Sequence, residues 1–263
     1  MSDSSPYTAL AAGYDLVMRH VDYEAWAEYA ADLLDEYAPD AVSVLELGAG
    51  TGTLAAFLQP MGPDDGGFRY VATDVSPQMM ARAGVKLAEM GEDRPPVQLA
   101  VMDARHAGRY HADFGGPFDA VLFLYDGLNY LLDEDDVRAL LAGVADALVP
   151  GGVFVMDQST PANSINNEAD FSDDGEGEVD GQPFRFVRTS RYDREKGLHT
   201  TRLEMTHGDE THAEEHVQRA YTKADIERLV GESPLRIVAA YDGFSADGAD
   251  DDSERIHWVL RKP

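Results

Sequence analysis

The feature that most constrains this chain is a glycine-rich segment over residues 42–53, VSVLELGAGTGT. Its β-branched and aliphatic start predicts a buried strand, and the glycines at 48, 50 and 52 predict a tight turn into a helix that begins near Thr53. Glycines let the backbone approach a ligand closely, and a helix N-terminus offers unpaired N–H groups and the positive end of the helix dipole. A strand, a glycine loop and a helix in this order therefore predict a nucleotide-binding loop.

Strands and helices alternate along the first 160 residues. This alternation predicts a parallel sheet whose ligands bind at the carboxyl ends of the strands. Asp74, Asp103 and Asp126 each follow a predicted strand, so we expect the three carboxylates at one edge of the sheet. The predicted strands after the first cover 68–73, 97–101, 118–124 and 153–156, and the predicted helices cover 54–58, 76–90 and 133–148.

The two ends of the chain follow other patterns. At the N-terminus, residues 7–14 predict a short helix with a break at Gly13, and an amphipathic helix follows as far as Tyr37. Residues 160–181 are polar, acidic and rich in glycine, which predicts a loop. The remaining segments predict a three-stranded antiparallel meander over 184–192, 198–207 and 211–221, a capped helix over 222–230, and final strands over 235–241 and 255–260.

Charge and composition exclude several classes of function. The 263 residues include 49 acidic side chains and 21 lysines and arginines, so the formal net charge is −28. Nucleic-acid substrates need basic surfaces. We therefore expect no nucleic-acid partner, and we favour a solvated acidic coat, as in proteins of a salt-rich cytoplasm, over attraction of cationic substrates. The absence of a long apolar run, a signal-peptide pattern and cysteine predicts a cytoplasmic protein without membrane spans, disulfides or a metal site.

The order of residues in the glycine loop separates the possible nucleotides. A dinucleotide loop reads G-x-G-x-x-G, whereas residues 46–52 read ELGAGTG, with an acid first and glycines at alternate positions. This segment resembles the first motif of the class I S-adenosylmethionine-dependent methyltransferases, and the resemblance covers nearly the whole chain. Within that superfamily the chain is most similar to uncharacterised bacterial small-molecule methyltransferases, which share an AxxYD start, a DGLNYL-like segment and an inserted β-meander.

The resemblance implies a fold and a division of the chain. The fold is Rossmann-like α/β: a mostly parallel seven-stranded sheet with its last strand antiparallel, and a β-meander inserted after the fifth strand. Residues 1–40 are expected to form a helical lid, and 41–160 with 222–263 the domain that binds S-adenosylmethionine. Residues 161–221 are expected to form a loop and a meander on the substrate side.

The resemblance also implies the cofactor-binding residues. Asp74 is expected to bind the ribose hydroxyls, Asp103 to lie beside the adenine, and Glu46 to lie near the amino-acid end of the cofactor. Tyr14 is expected to fold over the cofactor as part of the lid, with Tyr7 as a weaker second candidate. The full expected set is Tyr14, Glu46, Gly48, Ala49, Gly50, Gly52, Asp74, Met102, Asp103, Ala104 and Tyr125.

Methyl transfer from a sulfonium is an in-line displacement, so the protein mainly aligns donor and acceptor and excludes water. The resemblance puts the transferable methyl group beside the segment after the fourth strand, which makes Asp126, Asn129 and Tyr130 the candidate catalytic residues. Asp126 can hold a cationic amine or take its proton, and Asn129 can orient the amine. Capping and packing are the structural alternative for Asn129 and Tyr130.

Residues 212–216, HAEEH, match a zinc-protease motif that requires a helix. Their alternating surroundings predict a strand instead, on which positions four apart lie roughly 13 Å from each other. We therefore expect these histidines on the meander, where they can face the substrate.

The substrate class is narrowed by motifs that the chain lacks. Nucleic-acid amino-methyltransferases carry [DNS]-P-P-[YF] after the fourth strand, where this chain has DGLN, and cytosine-C5 enzymes attack through a cysteine. We therefore expect a small-molecule acceptor, at nitrogen ahead of oxygen. Three alternatives stay open: a protein methyltransferase, a non-catalytic S-adenosylmethionine-binding protein, and an NAD-dependent dehydrogenase.

Overall fold

The computed structural model describes residues 2–3, 6–63, 66–90, 96–166 and 172–263. The described residues form two sheets, and the larger one carries the glycine loop. The strands are β1 Ser2–Asp3, β2 Ser43–Leu47, β3 Arg69–Asp74, β4 Gln98–Val101, β5 Phe118–Phe123, β6 Leu148–Ser159, β7 Ser172–Val179, β8 Gln182–Asp193, β9 Leu198–His207, β10 Glu210–Arg219, β11 Arg236–Asp242 and β12 Arg255–Arg261.

The larger sheet has seven strands in the order β11-β12-β6-β5-β2-β3-β4. The five strands from β6 to β4 are parallel, and β12 runs antiparallel between β6 and β11. The predicted Rossmann-like fold with an antiparallel final strand is therefore confirmed. Because the strand order reverses between β2 and β5, the crevice at their carboxyl ends is where an open sheet of this kind binds its ligand.

The smaller sheet has the order β1-β10-β9-β8-β7, and its last four strands form an antiparallel meander. The meander predicted after β6 is confirmed, but the loop predicted over 160–181 is wrong for the residues that are described: 161–166 form a helix and 172–179 form β7. A Cβ at Gly175 would lie 2.6 Å from the Phe186 ring, and one at Gly177 would lie 2.8 Å from Leu16. These glycines therefore allow close packing within a strand. The rest of the predicted loop, 167–171, lies outside the described residues.

Helices cover both faces of the larger sheet, and their starts follow local signals. Ser76 caps the helix that begins at Pro77, and Thr222 forms a capping box with Asp225. Within the described part of the chain, no helix is both long and apolar enough to span a membrane. The helices are α1 Leu10–Val17, α2 Tyr23–Tyr37, α3 Thr53–Leu58, α4 Pro77–Glu89, α5 Ala107–Tyr110, α6 Glu134–Ala147, α7 Pro161–Asn166 and α8 Lys223–Gly231, with short 3-10 helices at Gln59–Met61, Ala104–His106, His111–Phe114 and Gly127–Tyr130.

Alternate residues of the central strands are buried on opposite faces of the larger sheet. Val44 joins a cluster with Trp26 and Leu34 of α2, while the next residue, Leu45, joins a cluster with the apolar faces of α6 and α8. The prediction that the second helix packs across the sheet is therefore confirmed. Because both faces are covered, β2 is buried along its whole length.

Helix α1 differs from its prediction. It continues through Gly13, so the predicted break there is wrong. A Cβ at Gly13 would lie 2.1 Å from the Phe184 ring of β8, which explains the glycine by a long-range contact. Leu10 and Val17 of the same helix belong to a cluster with Phe184 and Met205. The N-terminal segment is therefore attached to the smaller sheet.

Candidate active site

The glycine loop turns through three residues with left-handed backbone. Gly48, Gly50 and Gly52 have φ values of 66°, 56° and 73°, which other residues adopt only with strain. A Cβ at Gly48 would lie 3.0 Å from the Phe123 ring. The backbone N–H of Gly50 donates to Asp74 Oδ2 at 2.9 Å, which ties the loop to the end of β3. The loop therefore presents bare backbone beside a carboxylate.

A cavity of about 290 Å³ opens on this loop, and we call it the loop cavity. It extends across the carboxyl ends of β3, β4 and β5, and it contains the buried Met102 beside Asp103. A flat base and a ribose fit this combination of bare backbone, an apolar side chain and two carboxylates. The predicted site residues on its wall are Tyr14, Gly48, Gly50, Asp74, Met102, Asp103, Ala104, Tyr125 and Tyr130.

The other predicted residues lie around the loop cavity. Glu46 and Ala49 line a narrow adjoining recess, which also contacts Tyr14, Gly48 and Tyr125. Gly52 immediately precedes α3 as its N-cap residue and lines neither space. Most of the expected cofactor residues therefore lie together around one cavity and its recess.

Glu46 is a buried carboxyl group at the floor of the recess. Burial raises its pKa to about 8, the hydrogen bond from the Tyr70 hydroxyl opposes this increase, and the charge of Asp74 adds to it. The Tyr70 hydroxyl donates to Glu46 Oε2 at 2.9 Å. At neutral pH the Glu46 carboxyl is therefore mostly protonated in the ligand-free protein.

Asp74 and Asp103 have opposite electrostatic surroundings. Burial raises the pKa of Asp74, although the backbone N–H groups of Ser76 and Gly50 oppose the increase. At Asp103, hydrogen bonding by Arg105 holds the pKa below its usual value, with burial acting in the other direction. Arg105 Nε lies 2.9 Å from Asp103 Oδ1, and the same guanidinium reaches Asp136 at 2.8 Å. Asp103 is therefore fixed in place and charged.

Four tyrosines separate the loop cavity from a second space of about 160 Å³, which we call the middle cavity. Tyr7, Tyr14, Tyr125 and Tyr130 line both spaces, and we call them the tyrosine partition. The ring of Tyr7 lies 6.1 Å from that of Tyr14 and 5.6 Å from that of Tyr130. Tyr7 and Tyr125 both have φ of 62°, a left-handed backbone that is uncommon for aromatic residues and is often found at functional sites.

A third space of about 210 Å³ has mainly polar walls, and we call it the polar cavity. It meets the middle cavity at shared side chains, among them Asp126 and Arg188. The other polar residues on its walls are His20, Asn129, Ser159, Asn163, Ser164, Ser190, His199, Thr201 and Gln218. The three cavities form a row from the glycine loop to the meander.

Asp126 belongs to a buried ionic cluster. Its Oδ1 accepts from Arg255 at 2.7 Å, and the same guanidinium nitrogen binds Asp157. Burial raises the pKa of Asp157 to about 7, the charge of Arg255 lowers it, and that of Asp126 raises it. Two carboxyl groups thus share one guanidinium at the boundary of the middle and polar cavities. Sequence patterns gave no sign of Arg255, because 129 residues separate it from Asp126.

Asn129 is buried and makes three hydrogen bonds to backbone. Its amide nitrogen donates to the carbonyl oxygens of Ser159 and Arg219 at 2.8 and 2.7 Å, and its oxygen accepts from the Ser159 N–H at 2.9 Å. These contacts are the packing role that the sequence left open as an alternative. A catalytic role for Asn129 stays a prediction.

The prediction that the histidines lie on the meander is confirmed, with His199 and His207 on β9 and His212 and His216 on β10. His216 is buried and hydrogen-bonded to the Tyr130 hydroxyl. Glu214, which sequence reasoning did not select as a site residue, is buried beside it. The available signal was its position two residues before His216 on an alternating strand, which puts both side chains on one face of the sheet.

Comparison with known proteins agrees with this geometry. A family model described as a methyltransferase domain matches residues 44–152, which include the glycine loop and all three strand-end carboxylates. A protein of Geobacillus sp. (strain WCH70) named as a candidate methyltransferase is 26% identical over 97% of this chain and 99% of its own length. The dTDP-3-amino-3,4,6-trideoxy-alpha-D-glucopyranose N,N-dimethyltransferase of Streptomyces venezuelae is 32% identical over 55% of this chain and 54% of its own length.

A solved structure extends the likeness to the whole fold. The S-adenosylmethionine-dependent methyltransferase from Clostridium acetobutylicum ATCC 824 matches with a TM-score of 0.75 at 25% identity, covering 97% of this chain and 98% of that one. The protein is therefore an enzyme whose cofactor is S-adenosylmethionine, and the dehydrogenase and non-catalytic alternatives are wrong. Its fold, its loop cavity and these likenesses together show that the chain belongs to the class I S-adenosylmethionine-dependent methyltransferase superfamily.

Proposed function

We propose that this methyltransferase acts on a small polar molecule and transfers the methyl group to nitrogen ahead of oxygen. The observation that carries the proposal is the polar cavity of about 210 Å³, which meets the tyrosine partition through the middle cavity. Its volume suits a small molecule, and its amide, hydroxyl and imidazole groups suit a ligand with several hydrogen-bonding groups. The Streptomyces venezuelae relative, an N,N-dimethyltransferase, supports nitrogen as the acceptor atom.

The proposed cofactor contacts follow the loop cavity. Asp74 would accept hydrogen bonds from the ribose, Asp103 would lie beside the adenine between Met102 and Ala104, and Glu46 would face the amino-acid end. The backbone of the glycine loop and the rings of Tyr14 and Tyr125 would complete the enclosure. When bound, S-adenosylmethionine supplies a methyl group that its sulfonium activates for displacement.

The proposed acceptor contacts centre on Asp126. Asp126 shares the guanidinium of Arg255 with the buried Asp157, and the Asp126 side of this cluster lines both the middle and the polar cavity. Asp126 would hold an amine there, Tyr130 would face the reacting atom, and Asn129 would orient the acceptor through the Ser159 segment. A low-dielectric partition would strengthen these interactions by excluding water.

The proposed division of labour keeps the boundaries expected from the sequence. Residues 1–40 would act as the lid, and 161–221 would select the acceptor. Residues 41–160 with 222–263 would bind the cofactor. The contacts of α1 with β8 support this division, because they join the lid segment to the acceptor side.

The test is a labelling experiment with methyl-labelled S-adenosylmethionine and a bacterial extract separated by size. The proposal predicts label in the small-molecule fraction, together with formation of S-adenosylhomocysteine. The Asp74→Ala variant is the cofactor-dependent control, and it should label neither fraction at the wild-type rate. Label confined to polypeptides would reject the proposal in favour of a protein methyltransferase.

A further inference from the structure

A continuous chain of hydrogen bonds crosses from the tyrosine partition to the smaller sheet. Tyr7 Oη lies 2.6 Å from Tyr130 Oη, and Tyr130 Oη lies 3.0 Å from His216 Nδ1. His216 Nε2 lies 3.2 Å from Glu214 Oε2. The two tyrosines line both the loop cavity and the middle cavity, and His216 lines the middle cavity. The chain therefore begins where a methyl group would pass and ends in the protein interior.

Backbone N–H groups and His216 stabilise Glu214 as a carboxylate. Its Oε1 accepts from the backbone N–H groups of Thr8, Ala9 and Leu10 at 3.1, 2.6 and 3.1 Å, and its Oε2 accepts from that of Tyr7 at 2.8 Å. Burial raises the pKa of Glu214, but the hydrogen bonds from His216 and from these N–H groups outweigh burial, so the pKa lies below its usual value. If the carboxyl of Glu214 were protonated, its own hydrogen would lie among groups that already donate to it, which disfavours the protonated form.

The ionised carboxylate determines the direction of every bond in the chain. A carboxylate only accepts, so His216 must carry its proton on Nε2, and the neutral ring then accepts at Nδ1. Tyr130 must donate to that Nδ1, and its oxygen accepts from the Tyr7 hydroxyl. All donors thus point from the partition toward Glu214.

Several titratable and charged groups surround His216, and their effect on one another determines which of them can hold a proton. Tyr7 and Tyr130 contact its ring, and Asp126, Arg188 and Tyr14 line the same middle cavity. Burial raises the pKa of Tyr130, the hydrogen bond from Tyr7 lowers it, and the nearby charges of Asp126, Glu214 and Asp74 raise it. Tyr130 therefore stays a neutral phenol that can pass a proton on. His216, next to the Glu214 carboxylate, can accept one.

We propose that Tyr130, His216 and Glu214 form a proton relay that removes the proton of the methyl acceptor. The acceptor N–H bond breaks and leaves its electron pair on nitrogen. That proton binds Tyr130 Oη, the Tyr130 hydroxyl proton moves to His216 Nδ1, and an imidazolium forms beside the Glu214 carboxylate. Tyr130 is the group that touches the acceptor, while Glu214 positions His216 and sets its tautomer. This inference rests on the proposed function, because the acceptor must reach the tyrosine partition.

The first test needs no acceptor. In histidine-¹⁵N-labelled protein bound to S-adenosylhomocysteine, we expect the neutral His216 ring to carry its proton on Nε2. The same spectrum of Tyr130→Phe should show the loss of the hydrogen bond at Nδ1, and Glu214→Gln should admit the opposite tautomer. A proton on Nδ1 in the wild-type protein would overturn the relay, because Nδ1 could not then accept.

The second test measures turnover with the acceptor that labelling yields. His216→Ala should reduce kcat by about 100-fold, the lower range for general-base catalysis, and added imidazole should restore part of the loss. His212→Gln is the matched control, because His212 also pairs with a glutamate two residues before it on the same strand, Glu210 at 3.4 Å, and neither residue lines the loop, middle or polar cavity. It should leave kcat and its pH profile unchanged.

The outcomes separate this inference from the proposed function. Unchanged kcat in His216→Ala, or a loss without rescue by imidazole and without a change in the pH profile of His216→Gln, overturns the relay alone. Failure of the wild-type enzyme to label any small molecule rejects the proposed function. The tautomer measured in the first test still decides whether the hydrogen bonds run toward Glu214.

Discussion

The cofactor side and the proposed acceptor side of this enzyme are built in different ways. Around the loop cavity, neighbouring parallel strands bring backbone, glycines and carboxylates together from one stretch of the chain. On the proposed acceptor side, side chains from distant parts of the chain meet: Arg255 binds Asp126 across 129 residues, and Tyr130 binds His216 across 86. A site made of backbone leaves a local motif in the sequence, whereas a site made of distant side chains does not.

The two sides also treat buried carboxyl groups differently. The pKa of Glu46 is raised to about 8, while that of Glu214 is lowered. Glu46 receives one hydrogen bond from the Tyr70 hydroxyl, whereas Glu214 receives bonds from backbone N–H groups at 7–10 and from His216. The number of donors, more than burial itself, therefore decides which carboxyl is charged.

The largest effect is expected at Glu214. Replacing it in Glu214→Ala leaves one buried and three part-buried N–H groups, together with the buried His216, without their shared acceptor, so we expect unfolding free energy to fall by roughly 3–5 kcal/mol. Denaturant unfolding measures the loss, and limited proteolysis should cut near residues 7–10. Glu210→Ala, on the exposed end of the same strand, is the control. Equal stability of the two variants would mean that Glu214 does not attach the N-terminal segment to the smaller sheet.

At Glu46 we expect a dependence on pH. The folded protein keeps a proton that the unfolded chain releases above its ordinary pKa of 4.5, so this contribution is complete below that pH and is lost as pH rises toward 8. Converted to free energy, this increase in the pKa of Glu46 lowers the unfolding free energy by at most about 4 kcal/mol as pH rises from 5 to 8. Glu46→Gln should flatten this slope in chemical unfolding, apart from what Asp74 and Asp157 contribute in the same direction. An unchanged slope would contradict a protonated Glu46.

One matched pair of variants distinguishes the role of the cofactor side from that of the proposed acceptor side. Asp74→Asn should weaken cofactor binding by about 10- to 100-fold, the value of one charge-assisted hydrogen bond, when measured by calorimetry. Asp126→Asn should leave that affinity within about twofold and lower kcat by about 100-fold. The reverse pattern would mean that these two strand-end carboxylates have exchanged roles.

The smallest effect compares two glycines with left-handed backbone. Gly48 and Gly151 have φ of 66° and 85°, but a Cβ at Gly48 meets Phe123 whereas one at Gly151 meets nothing within 4 Å. Substitution by alanine should cost each protein about 1–2 kcal/mol of stability through backbone strain. Only Gly48→Ala should also weaken cofactor affinity, by about tenfold. Similar affinities in the two variants would contradict close approach of the loop to the cofactor.

Much of the fold could be predicted because its signals are local. The alternation of strands and helices, the Ser76 cap and the left-handed glycines each depend on residues close in sequence. The predicted helix break at Gly13 and the predicted loop over 160–181 were wrong for the same reason. Gly13 in α1, and Gly175 and Gly177 in β7, are glycines because a side chain from a distant element occupies the space of their Cβ atoms. The glycines and polar residues alone suggested a break in the helix at Gly13 and a loop over 160–181.

The sequence by itself predicted a nucleotide-binding loop, because a glycine loop between a strand and a helix works through backbone geometry that neighbouring residues dictate. The resemblance of residues 46–52 to the first methyltransferase motif narrowed the nucleotide to S-adenosylmethionine. The sequence also pointed to the carboxylates at the strand ends, since parallel strands align those ends at one edge. Only the tertiary structure decided the acceptor side. Arg255 reaches Asp126 from β12 of the larger sheet, and Glu214 reaches the backbone at 7–10 from β10 of the smaller sheet, so each contact joins segments that are distant in sequence. Contacts between distant side chains follow from packing, and no local pattern of residues encodes them.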